Sequence, residues 1–151
     1  MPLSVASNLS APSWKALSKL GVITGRREAK VFWRWRDALR IRGRDDPSQV
    51  IATLSGGNQQ KVMLGRWLQR DAHVLLLVEP TRGVDVGARQ DIYKSIRELA
   101  SRLVAVLIAT SDIEEVVQVA DRALVMNRGR VVASLDAHQI SAERLVAATG
   151  D

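Results

Sequence analysis

Two short apolar runs set apart by a helical stretch constrain this chain more than any other feature. His73-Val-Leu-Leu-Leu-Val78 stops at Glu79-Pro80, and Leu103 to Thr110 repeats the pattern. Between them, from Gly87 to about Arg102, Ile92, Ile96 and Leu99 recur at helical spacing. Unbroken apolar runs of this length suit strands buried on both faces, as in parallel sheets. Strand, helix, strand then implies a parallel crossover, right-handed because twisted strands pack their crossover helix only that way. The expected class is α/β.

The flanking segments extend that reading. After Arg26 the residues Val31, Phe32, Trp35, Ala38 and Leu39 recur every three or four positions with arginines between them, which predicts an amphipathic helix over about 26–41. Such a helix, flanked by Arg34, Arg36 and Arg40, could lie in a membrane interface or dock on a partner, but packing inside a helical subdomain is the favoured reading. Pro47 ends the pattern within Gly43-Arg44-Asp45-Asp46-Pro47-Ser48. A second helix is expected beyond Ser55-Gly56-Gly57, running to about Arg70. Past the second apolar run come a helix near Ile113 to Val119, strands near Ala123 to Met126 and Val131 to Leu135 joined at Asn127-Arg128-Gly129, and a closing helix from Ser141. The division expected is a helical subdomain over 1–53 and an α/β part over 54–151.

Composition narrows the function. At 151 residues and 46% hydrophobic the chain can build one core. It has no cysteine, which removes disulfides and Cys-based zinc sites, and its two histidines, His73 and His138, are far apart. The longest apolar run, Leu103 to Ala109, has seven residues, where a membrane-spanning helix needs roughly 20. The first residues lack the basic, apolar and small-residue order of a secretory signal, so export is not expected. The net charge of +6 belongs to residues 1–50, with ten Lys/Arg against four Asp/Glu, since the rest carries twelve of each. A basic segment can face nucleic acid or anionic lipid, yet a solvated helical face accounts for it without either.

Chemistry concentrates in Leu54-Ser55-Gly56-Gly57-Asn58-Gln59-Gln60-Lys61. A serine followed by two glycines at a helix start lets backbone N–H groups and a hydroxyl approach a phosphate closely. The same turn can be an ordinary helix cap. Eighteen residues beyond Gln60 the first strand ends in Val78-Glu79-Pro80-Thr81, followed by Arg82-Gly83-Val84-Asp85-Val86-Gly87-Ala88-Arg89.

Taken together, Leu54 to Lys61 and Glu79 to Arg89 resemble the ABC transporter ATPases, and more narrowly the second nucleotide-binding half of the double-domain ATPases of bacterial ribose, galactose and arabinose importers. The likeness extends from about Asn8 to Arg130 and is strongest between Leu54 and Arg89. It implies a partial P-loop NTPase of ABC type, a helical signature subdomain followed by a partial parallel sheet. In that family the signature acts in trans, closing over ATP and Mg held by the opposite nucleotide-binding domain. The resemblance assigns this part to Ser55, Gly56, Gly57 and Asn58, with Lys61 either adding charge to the site or lying exposed to solvent. Glu79 matches the glutamate that orients or deprotonates the attacking water, Asp85 the D-loop aspartate, and Ser111 the switch position, where similar second halves often carry serine. Plainer roles stand beside these: a strand-ending acid for Glu79 and a helix cap for Asp85.

Two departures bear on activity. No lysine follows a glycine, so the pattern G-x-x-x-x-G-K-[ST] that grips ATP in cis is missing from this sequence. Val78 stands where the family has the Walker B aspartate that fixes magnesium, and valine has no oxygen to offer. A truncated or degenerate half-domain is therefore expected, inactive alone, with no metal site of its own. Its expected partners are a second nucleotide-binding domain and membrane permease subunits, on the cytoplasmic face of the membrane and without direct contact to the sugar. A regulatory module docking on a permease and, less favoured, a nucleic-acid-associated ABC protein are the alternatives. Without central strands beside it, the sheet is expected to expose edges and apolar faces, leading to marginal stability or self-association.

Overall fold

The computed structural model describes residues 3–70 and 72–150. In chain order the helices are α1 (Val5–Ser10), α2 (Trp14–Leu17), α3 (Gly25–Ala38), α4 (Gly56–Leu68), α5 (Val86–Ser101), α6 (Ile113–Val119) and α7 (Ala142–Thr149). The strands are β1 (Val74–Val78), β2 (Ala105–Ala109), β3 (Arg122–Asn127) and β4 (Arg130–Asp136). β1 and β2 pair in parallel through the α5 crossover, Val74 opposite Ala105 and Val78 opposite Ala109. β3 and β4 form an antiparallel hairpin. Arg128 (φ 47°) and Gly129 (φ 77°) make its two-residue turn, and positive φ at both positions matches the twist of the strands they join.

One apolar cluster joins Val5 and Leu9 of α1, Phe32 and Trp35 of α3, Val62 of α4 and Ile92 and Ile96 of α5. Gly65 lets these helices close up, since a Cβ there would stand 2.7 Å from the Leu9 side chain and 3.2 Å from that of Leu39. The helix α1 was not anticipated, because six residues carry too few apolar positions to display a period. The helix α3 stops three residues before the expected end. Arg40 turns left-handed (φ 50°), and the N–H of Ile41 donates back to the Arg36 carbonyl at 2.9 Å, a helix-ending pattern usually built on glycine. A second cluster gathers Ala123 and Val125 of β3 against Leu145 of α7, with Ile113, Val116 and Leu135 around it.

The sheet departs from the expectation that both apolar runs are buried on both faces. Leu75 is buried, and Leu77, Val106 and Ile108 pack toward the helical cluster. On the opposite face Val74 is 68%, Leu76 65%, Val78 70% and Leu107 62% exposed. With two strands in this sheet among the described residues, the second apolar face has no layer to pack on. The expected exposure of apolar sheet surface is therefore found.

Candidate functional site

The helix α4 begins at the glycine pair. Ser55 takes the extended geometry of an N-cap (φ −61°, ψ 156°), yet its side chain caps no backbone N–H. Its hydroxyl instead accepts from Asn58 Nδ2 at 2.8 Å. Asn58 Oδ1 in turn accepts from the backbone N–H of Arg42 at 2.7 Å, so the asparagine ties the turn to the end of the α3 segment. The first-turn N–H groups are left without a side-chain cap at the positive end of the helix, the arrangement that seats anions.

The two glycines have different reasons to be there. A Cβ on Gly57 would lie 2.5 Å from the Ala88 Cβ, so this position is glycine to let α4 meet α5. On Gly56 a Cβ would meet only the Gly83 carbonyl at 3.5 Å, an ordinary contact. Packing requires Gly57, whereas Gly56 stays open to whatever approaches the turn.

Ser55, Gly57 and Asn58 share an open hollow of about 410 Å³ with Asp85, Lys61, Asp91 and Arg42. Asp85 caps α5, accepting from the Ala88 N–H at 2.9 Å, so the helix-cap role weighed for it is present in the structure. Lys61 is 2% exposed and donates to Asp91 Oδ2 at 3.0 Å and to the Arg40 carbonyl at 3.3 Å. Both expectations for Lys61, a free charge at the site and exposure to solvent, are thereby corrected: its ammonium is buried and committed to binding α4, α5 and the α3 terminus together. The Asp91 carboxyl is held below its ordinary value, first by the Lys61 hydrogen bond and then by the nearby charges of Lys61 and Arg42.

Glu79 and Ser111 meet in a separate cluster at the strand ends. Glu79 Oε1 accepts from the Ser111 N–H at 2.9 Å and from its hydroxyl at 3.0 Å, and Thr110 Oγ1 donates to Oε2 at 3.4 Å. These bonds, the backbone one foremost, hold the carboxyl below the usual value. Glu79 therefore stays ionised at neutral pH and is a weakened base. Its backbone is left-handed (φ 48°), a conformation that costs a non-glycine residue roughly 1 kcal/mol or more and gathers at functional sites. The helix α5 spans both clusters, for Arg89 Nη1 donates to Asp112 Oδ2 at 2.7 Å, next to Ser111. Below, Thr81 donates to the fully buried Glu115 at 2.9 Å.

Of the residues singled out in the sequence, the structure brings Ser55, Gly57, Asn58 and Asp85 to one hollow, with Gly56 at its turn, and Glu79 and Ser111 to the other cluster. Val78 closes β1 with an exposed side chain that has no oxygen. Among the described residues no group of three His, Cys, Asp or Glu is arranged to hold a metal. Beside Glu79, Val78 offers no oxygen to a magnesium ion. Arg42 and Asp91 were not singled out. Neither lies in a motif, and only folding carries Arg42 beside Asn58, sixteen positions away.

The sequence is 43% identical over 148 residues to the arabinose import ATP-binding protein of Rhizobium meliloti, an alignment covering 96% of this chain and 28% of that protein. It is 39% identical over 151 residues to the ribose import ATP-binding protein of Geobacillus kaustophilus, covering 99% and 30%. An autoinducer 2 import ATP-binding protein of an Enterobacter species is 48% identical over 122 residues, covering 81% and 24%. The chain thus spans less than a third of each of these relatives. No family model matches. Among solved structures, an ATP-binding cassette of an ABC transporter superposes with a TM-score of 0.78 at 21% identity, covering 97% of this chain and 62% of that one. A part of an ABC transporter complex from Clostridium perfringens gives 0.74 at 26%, covering 97% and 56%. The fold is that of an ABC ATPase cassette, present in part.

Proposed function

Starting from a chain similar along most of its length to the ATP-binding proteins of sugar ABC importers, we propose that it acts as the signature-bearing side of such an ATPase. Ser55, Gly56, Gly57 and Asn58 close over the terminal phosphate of ATP whose binding loop and magnesium belong to a second nucleotide-binding domain. The uncapped start of α4, open at Gly56 and anchored through Asn58 and Gly57, carries this reading. N–H groups fixed in place before the phosphate arrives lose little on binding it, and the helix end favours its charge. This sequence holds no phosphate-loop pattern, and Val78 supplies no ligand for the ion, so in this reading the nucleotide is held by the second domain.

Asp85, which lines the same hollow, helps to align the two domains in this reading. Glu79, kept as a carboxylate by Ser111, orients water only once a phosphate loop is set beside β1. The assembly belongs on the cytoplasmic face of a permease. No helix among the described residues is long and apolar enough to cross the membrane, and in this reading the chain makes no direct contact with the sugar. A non-catalytic docking module is the second reading. Met63 and Trp67, one turn apart and both exposed on α4, favour it.

The test is association between this chain and an intact sugar-importer nucleotide-binding domain whose catalytic glutamate is replaced by glutamine so that bound ATP persists. ATP-dependent association that Ser55→Ala weakens is expected. Binding to a permease that is indifferent to both ATP and Ser55→Ala would favour the docking module instead.

A further inference from the structure

The hollow at the signature turn is lined by four charged residues: Arg42, Lys61, Asp85 and Asp91. Lys61 is buried and its charge is met by Asp91 at 3.0 Å. Asp85 spends one oxygen on the Ala88 N–H but keeps its negative charge on the wall. A polyphosphate approaching Ser55 therefore meets a repulsive carboxylate, and a helix end equivalent to about half a charge only partly offsets it. Arg42 is the remaining cation. It is exposed, takes part in no ion pair within the described residues, and is close enough for its charge to act on Asp91.

Arg42 is held in place by its backbone. The N–H donates to Asn58 Oδ1, so the residue moves with the signature turn while its guanidinium stays free. Among the neighbouring basic residues Arg36 is paired with Asp45 and Arg34 lies over the Trp35 ring on α3, while Arg40 and Arg44, exposed and in no ion pair among the described residues, do not line the hollow.

Resting on the trans reading above, we propose that Arg42 is a further nucleotide-binding residue, reaching from the signature side to the phosphates of the ATP held by the partner domain and offsetting Asp85. A guanidinium binds phosphate oxygens through two parallel N–H donors, which an ammonium cannot match.

The experiment measures association of the full 151-residue chain with the ATP-loaded, hydrolysis-blocked partner domain, using Mg-ATP as the probe, for wild type, Ser55→Ala, Arg42→Ala, Arg42→Lys and Arg34→Ala. Because the structural bond uses the Arg42 backbone, Arg42→Ala keeps it, and an unchanged thermal melt checks the fold. Arg42→Ala is expected to weaken ATP-dependent association about tenfold, as for the loss of one charge-assisted hydrogen bond to phosphate, and to flatten its salt dependence. Arg42→Lys recovers part of the loss, and Arg34→Ala, which removes the same charge nearby, leaves affinity unchanged. Wild-type affinity in Arg42→Ala alongside weakening by Ser55→Ala would overturn the role of Arg42 and leave the trans reading standing. Equal weakening by Arg34→Ala would reduce it to the general charge of the segment, also overturning it. No ATP-dependent association for wild type would overturn the trans reading and the role of Arg42 with it.

Discussion

The helical cluster and the β1/β2 sheet are built from the same kind of residue and end in opposite situations. Leu9, Val62 and Ile92 are fully buried where α1, α3, α4 and α5 meet, whereas Val74, Leu76 and Val78 alternate outward from a sheet with one covered face. A helix needs one apolar stripe and finds its partners within the chain. A parallel strand written as a continuous apolar run needs a layer on each side. The helical region is therefore self-sufficient, and the sheet carries surface fit for a neighbour. The Ser55-Gly56-Gly57 turn lies on the self-sufficient side, held within the chain by Asn58, Gly57 and the Lys61–Asp91 pair.

That contrast can be broken by mutation. Leu9→Ala should cost about 2–5 kcal/mol in denaturant unfolding, the usual penalty for a cavity in a packed core. Gly57→Ala should cost about 1–3 kcal/mol by forcing α4 away from Ala88. Gly56→Ala should leave the melt nearly unchanged and weaken only ATP-dependent association. Equal thermal losses at both glycines would remove the distinction between them.

Acid should act on the helical side. The folded-state value of Asp91 lies below its ordinary 3.8, so the stabilisation from Lys61 is complete at neutral pH and is lost as pH falls from about 4 through the folded value. Asp91→Asn should make the acid limb of stability shallower, as read from melting temperature against pH. The smallest effect on folding belongs to Leu76→Ser, within about 0.5 kcal/mol because the side chain is exposed. The same substitution should reduce concentration-dependent self-association in sedimentation. A loss as large as that of Leu9→Ala would mean that this face is covered after all.

Much of this was legible in the sequence. Apolar runs and helical spacing gave β1, β2 and the parallel crossover, Asn127-Arg128-Gly129 gave the hairpin, and the glycine pair gave the start of α4. Burial was not legible, because an apolar run states a preference for cover and not whether cover is present. The short α1 escaped for want of a period. The polar ties escaped too, since Lys61 to Asp91 and Arg42 to Asn58 are made by tertiary approach between residues thirty and sixteen positions apart.

Nucleotide binding by the purified chain alone tests most directly whether the seat at Ser55 serves an ATP held by another domain. Titration with Mg-ATP up to millimolar concentration should give no saturable binding and no phosphate release above a Ser55→Ala control. Saturable micromolar binding with steady turnover by a single copy would contradict it.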